Sequence, residues 1–298
     1  MGLRSWLMQE FEDEPFEVSD EIITQRRALS RAWLEKLRSR NEPQATLFKA
    51  EMLMSLAWTH RGYTTLENVD QDDRDSYRDL NEAASHAYLD AAERMGSEDV
   101  TALIRAQVAT ANWSTQSIWE FASEWRKHDP WNRIGILLLI RFLDERWGGG
   151  PEAWLGFAAE IAEHAPAGST ALGLVPFAIT ERWEYLTSFE EMTFSDADQL
   201  VYQLPAVKQV LRLAYDRYLR SGAAPEIDEF VTYDLNNFMW ACYWADLDDL
   251  AYDAMRRLGG NVRAEVWQGH RLNEPLGEFT YARNYLISEI EYGGREPV

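Results

Sequence analysis

Leu80-Asn81-Glu82-Ala83-Ala84-Ser85-His86-Ala87-Tyr88-Leu89-Asp90-Ala91 is the stretch that decides the fold class. Leu80, Ala83, Ala84, Ala87, Tyr88 and Ala91 stand at offsets 0, 3, 4, 7, 8 and 11, which is one face of an α-helix. The same offsets recur at Trp154, Phe157, Ala158, Ile161, Ala162, Ala165 and at Leu247, Leu250, Ala251, Ala254, Met255, Leu258; Ile118, Phe121, Ala122, Trp125 match the first four. Offset 4 is alanine every time, and a methyl group there lets a neighbouring helix approach closely. The starts at 80, 118 and 154 lie 38 and 36 residues apart, a period suited to helical hairpins that bury their faces only against one another.

Outward from these segments the chain reads as helix after helix, with hardly any alternating β-branched stretch. Ser19-Asp20-Glu21 offers an N-cap for a helix to about Arg40, and Pro43 suits the first turn of a second helix that carries Phe48, Met52 and Leu56 and ends at Arg61-Gly62. Tyr63 to Asp75 is a polar, acidic connection and the clearest break in composition. The expected hairpins pair 99–112 with 116–128, 131–146 with 151–165, 168–185 with 200–220, and 227–244 with 247–258. The expected fold is all-α: a right-handed α-solenoid of antiparallel helix hairpins. Residues 1–75 would be an irregular helical segment, 76–267 the repeats, and 268–298 a tail packed on them. The alternative is an irregular helical domain, in which any amphipathic helix shows these offsets.

Three segments carry a family likeness: Asp129-Pro130-Trp131-Asn132; Arg146-Trp147-Gly148-Gly149 followed by Trp154-Leu155-Gly156-Phe157-Ala158; and Asn236-Asn237-Phe238 leading to Ala245-Asp246-Leu247-Asp248. Here the chain resembles tetratricopeptide-like repeat proteins, including a bacterial family of unknown function with a similar Trp-Gly-Gly turn ahead of a Phe-Ala helix. The aromatic and glycine positions of the full consensus do not recur in each unit. The resemblance implies a scaffold or peptide-binding role and carries over no catalytic residue.

Charge and composition narrow the partners. The 298 residues hold 29 Lys and Arg against 50 Asp and Glu, a formal charge of −21. Such a surface repels phosphate backbones and anionic headgroups, so the expectation is no nucleic acid and no membrane; a charged partner would be basic. A single cysteine, Cys242, excludes an internal disulfide and a multi-thiolate metal site and fits a reducing compartment. The N-terminus turns acidic at Glu10 to Glu14 before any long apolar run, and Ile134 to Ile140 is far too short to span a bilayer. The expected location is the cytoplasm.

Catalytic motifs are scarce. Asp70, Asp72, Asp73 and Asp75 could hold Mg²⁺ against a diphosphate, and the 13 Trp would suit a class I terpene synthase. That family's second metal motif, counted from Asn81, Asn236 or Asn284, is not completed, and interleaved Arg74 and Arg78 read as a solvated loop. His60, His86, His128, His164 and His270 never pair at i, i+4. Glu82, His86 and Asp90 share the polar side of their helix. Cys242 lies in the apolar stripe Leu235, Phe238, Met239, Cys242 and reads as core. No metal and no cofactor are expected.

The helix 227–244 has a second face, with Tyr233, Asn237, Trp240 and Trp244 at offsets 0, 4, 7 and 11 and Asn236 beside them. In hairpin arrays the inner helices line a groove, where amides can hold a peptide backbone and aromatics its side chains. These five residues are the candidate ligand-binding set, with Trp119, Trp183 and Tyr185 as possible extensions. The alternative is that they pack against the next hairpin. The expected function is non-catalytic protein or peptide binding, with a homo-oligomer possible and a Mg²⁺-dependent enzyme of secondary metabolism as runner-up.

Overall fold

The structure, a computed structural model, describes residues 20–61, 69–96, 100, 104–105, 119, 122–143, 150–267 and 275–293. Every regular element among these residues is helical, and none is a strand. The expected hairpin 99–112 with 116–128, the Trp147-Gly148-Gly149 turn and His270 lie largely or wholly outside the described residues. The chain forms two compact units, one of residues 1–112 and 116–130, the other of residues 113–115 and 131–298.

In the first unit α1 (Asp20–Leu37), α2 (Pro43–Arg61) and α3 (Gln71–Met95) pack in sequence, α2 touching both neighbours. His60 near the end of α2 meets Asp73 at the start of α3, while Arg94 at the end of α3 reaches Asn41 and Thr46 at the start of α2, so these helices are antiparallel. Ala50, Ala84 and Tyr88 form the centre of their interface, and Ala84, the alanine at offset 4, is fully buried. Ala83, on the predicted stripe, is exposed, and Ser85 is buried in its place. The acidic segment corrects one expectation. Helix α3 begins at Gln71, so Asp72, Asp73 and Asp75 belong to its first turns and not to a loop. Carboxylates are favoured there by the positive end of the helix dipole.

The second unit contains α4 (Arg133–Phe142), α5 (Ala153–His164), α6 (Val175–Ser188), α7 (Phe194–Leu200), α8 (Pro205–Tyr215), α9 (Glu229–Trp244), α10 (Asp248–Leu258), α11 (Ala264–Trp267) and α12 (Pro275–Tyr292). A 3-10 turn (Leu172–Leu174) precedes α6, and a π turn (Asp216–Arg220) continues α8. Helix α6 packs against α4, α5, α7, α8 and α9, and α9 adds α10 and α11. Contacts fix the directions. Trp183 meets Trp240 while Gly173 abuts Asp234, so α6 and α9 run parallel. Arg212 meets Asp249 and Tyr215 meets Asp253, so α8 and α10 also run parallel. Ala158 and Ala251 have no exposed surface, as the close-approach reading of offset 4 requires, and all six stripe residues of α10 are buried.

Short α7 and the π turn lie within the single expected hairpin 168–220, and the tail is in fact an 18-residue helix, α12, packed on α10 and α11. The π turn has a clear task. It sends Arg217 to the carbonyls of Ala162, Glu163 and Ala165 at the end of α5, and Tyr218 the other way, to Asp234. Gly168, at φ 77°, accommodates the same junction, because a Cβ there would lie 1.9 Å from the Ala223 carbonyl oxygen.

Gly173 and Gly156 separate crowding from helix propensity. A Cβ on Gly173 would sit 2.0 Å from Asp234 Oδ2, whereas one on Gly156, inside α5, meets nothing. In urea unfolding Gly173→Ala should lose about 1–3 kcal/mol and Gly156→Ala should gain about 0.5–1 kcal/mol.

Candidate functional site

Helix α9 is capped by Asp228, whose carboxylate accepts from Val231 N at 2.8 Å. From that start it carries the five expected binding residues into very different surroundings. Asn236 has no exposed surface, and its amide is filled by the chain itself: Nδ2 donates to Thr232 O (2.8 Å) and Asn261 O (3.2 Å), while Oδ1 accepts from Arg263 N (3.1 Å) and Trp267 Nε1 (3.0 Å). Asn237 is buried and donates to Tyr233 O. Trp240 is buried and donates from Nε1 to Tyr202 Oη at 3.0 Å. Tyr233 and Trp244 are half-buried. Two proposed extensions also point elsewhere: Trp183 is buried with its Nε1 on Asp198, and Tyr185 stacks on Phe189. Trp119 belongs to the first unit.

Trp240 is the centre of an aromatic system. Its ring meets Trp183 (6.4 Å between centroids), Trp244 (5.6 Å) and Trp267 (5.2 Å), the last of which meets Phe279 of α12 (5.2 Å). One branch leaves the core: Trp244 meets Tyr243, and Tyr243 meets Tyr285 of α12 edge to face at 5.6 Å. Tyr285 is 40% exposed, and Tyr281 and Tyr292 on the same side of α12 are 64% and 46% exposed. Asp248, at the start of α10, lies 3.5 Å from the Tyr285 hydroxyl. Thus the α9 aromatics reach the surface at the helix's C-terminal end, through residues outside the expected set.

A buried ionic group sits at the other end of α9. Asp234 is wholly buried; Arg133 Nη2 and Nη1 donate to its two oxygens at 2.6 and 3.0 Å, and Tyr218 Oη donates at 2.6 Å. Arg133 also donates to Thr170 O at 2.7 Å. Burial pushes the Asp234 carboxyl above its ordinary range, against the pull of Arg133 and Tyr218. Burial, and then the Asp234 charge, push the Tyr218 hydroxyl up as well, which keeps it a donor. Burial raises the Cys242 thiol, so it is an unreactive core group.

Other sequence candidates are tied up singly. Asp73 accepts from His60 at 2.6 Å with Arg27 at 3.6 Å, and Asp75 pairs with Arg78 at 3.0 Å. Glu82, His86 and Asp90 are exposed, as a solvent-facing side requires. Among the described residues no three His, Cys, Asp or Glu side chains group so as to hold a metal ion, and no helix is long and apolar enough to cross a membrane.

No protein-family model, curated protein or solved structure matches this chain. What its site can do therefore rests on its own geometry. The residues missed in the sequence had faint signals: Asp234 is an acid flanked on its helix by Val231, Leu235 and Phe238, and Tyr281, Tyr285 and Tyr292 stand at helical offsets 0, 4 and 11.

Two substitutions test this assignment. Asp234→Ala leaves Arg133 buried without its carboxylate and should cost about 3–5 kcal/mol in urea unfolding. Asp253 gives a pH signature. Burial would raise its carboxyl, but the Tyr215 hydroxyl, Arg257 and Arg220 hold it below the ordinary range. Its stabilising contribution is therefore present above the unfolded carboxyl pKa of about 3.9 and fades as pH falls through the lower folded value. Asp253→Asn should be less stable than wild type near neutrality and lose less on acidification below about pH 4, read by thermal melts across the range.

Proposed function

We propose that the protein is a non-catalytic, protein-binding helical scaffold, built as a solenoid-like stack of helix hairpins. Support for the stack comes from helix direction: α6 and α9 run one way side by side, α8 and α10 do the same in the neighbouring row, and α5 packs on both α6 and α8. Repeating hairpins place their first and second helices in such parallel rows. The observation that carries the binding role is the outcrop of the aromatic system at Trp244, Tyr243 and Tyr285, continued by exposed Tyr281 and Tyr292, with Asp248 and Glu289 beside Tyr285. Tyrosines present large, stiff, amphipathic faces at small entropic cost, which is what recognition surfaces use. The buried amides of Asn236 and Asn237 then serve as the rigid backing of that surface. An acidic protein of this kind selects basic partners and repels nucleic acid.

Affinity capture from a cell extract, compared quantitatively between wild type and Tyr281→Ala/Tyr285→Ala, tests the reading. Exposed tyrosines contribute little to folding, so both proteins should melt alike, and the double variant should lose a reproducible set of proteins. An identical captured set from both would reject the scaffold reading.

A further inference from the structure

Among the described residues the second unit builds a tyrosine–aspartate pair three times, and twice completes it with arginine. Tyr218 donates to Asp234, and Arg133 closes the group through two bonds. Tyr215 donates to Asp253 at 3.0 Å; Arg220 lies over the Tyr215 ring, 5.1 Å from its centroid, and its Nε is 3.4 Å from Asp253, with Arg257 at 3.2 Å. The third pair is Tyr285 with Asp248. There the arginine place has no occupant: among the described residues no Lys, Arg or His pairs with Asp248 or with neighbouring Glu289. The adjacent carboxylates differ, since Asp246 has Lys208 at 3.3 Å and Asp249 has Arg212 at 3.5 Å.

We propose that the Tyr285–Asp248 pair, with Glu289 beside it, is the docking point for an arginine on a basic segment of a partner protein. A guanidinium is planar, so it stacks on a tyrosine ring and pairs with a carboxylate at once, as Arg220 does on Tyr215 and Asp253. The ring is accessible at 40% exposure and is set by Tyr243. Exposed Tyr281 and Tyr292 extend the same side of α12 for the flanking residues of the segment. Charge agrees: burial, and then the charges of Asp246 and Glu289, hold the Asp248 carboxyl above its ordinary range, whereas Asp253, which has its arginines, lies below it. A cation arriving at Asp248 relieves that repulsion. This inference rests on the scaffold reading and names the chemistry of its partner.

The test is calorimetry of the full chain with a short arginine–glycine peptide blocked at both ends, at low and at high salt. Binding should weaken with salt, and by about tenfold or more in Asp248→Asn/Glu289→Gln. Asp72→Asn/Asp75→Asn, which removes the same charge from α3, should leave it unchanged. Glu289→Arg supplies the arginine from α12 itself, four residues beyond Tyr285, and should abolish peptide binding while the fold melts no lower than wild type. Equal weakening by the two neutralised pairs, or peptide binding retained by Glu289→Arg, overturns the proposal. So does a dimer in light scattering that Asp248→Asn dissolves, because the occupant would then be a second copy. Absence of peptide binding while Tyr281→Ala/Tyr285→Ala still loses captured proteins overturns the arginine partner alone; an unchanged captured set instead removes the scaffold reading beneath it.

Discussion

A carboxylate with no access to water, Asp234, is the constraint around which the second unit is arranged. Burying such a charge is costly unless donors surround it, and the donors must come from wherever the chain can bring them. Here they come from Arg133 at the first turn of α4 and from Tyr218 in the π turn, roughly a hundred residues and sixteen residues away in sequence. Gly173 is required because the carboxylate fills the space a Cβ would take. Asp234 thus sets the positions of α4, of the 3-10 turn before α6, of the π turn and of α9 together. Hydrophobic burial alone would tolerate sliding among these helices; a two-bond arginine pair plus a tyrosine hydroxyl does not.

From that fixed point the remaining polar side chains of α9 acquire their meaning. Asn236 is four-fold bonded to Thr232, Asn261, Arg263 and Trp267, so it ties α9 to the segment that follows α10. Trp240 does the same sideways through Tyr202, which in turn donates to Thr180 of α6. A helix with such bonds on both sides is a stiff central rod. Its aromatic branch through Trp244 and Tyr243 to Tyr285 carries that stiffness to the surface.

Helical periodicity was readable because burial imposes it locally: Ala158, Ala251 and the whole α10 stripe had to face a neighbour whatever the neighbour was. The polar members of α9 were ambiguous for the converse reason. Amides and indoles at helical spacing look alike whether they face a groove or another helix, and what decided the case, Asn261 to Trp267, lies 25 to 31 residues beyond Asn236. The boundary near residue 75 misled because acidity marks a helix N-terminus as readily as a linker; α3 starts at Gln71 and uses its aspartates there. Helix α12 was hidden by its thin buried face, Phe279, Ala282 and Leu286, because Leu276, Ile287, Ile290 and three tyrosines lie off that face and blur the stripe. A division of the chain at 130/131 leaves no trace in charge, since both sides are similarly acidic.

Net charge far from zero makes every carboxylate a question of local neutralisation. Asp234 and Asp253 are answered from within by arginines, Asp246 and Asp249 by Lys208 and Arg212. Asp248 is built with the same tyrosine contact as the first two, yet meets only like charge, and its carboxyl shifts the opposite way from that of Asp253. The two sites differ in their charged neighbours: arginines beside Asp253, carboxylates beside Asp248. Folding gains nothing from leaving a half-buried carboxylate among its own kind, beside a point where core aromatics reach the surface. Its ionised form is therefore disfavoured in the folded chain, a cost that a neighbouring cation would lower, as the arginines do at Asp253.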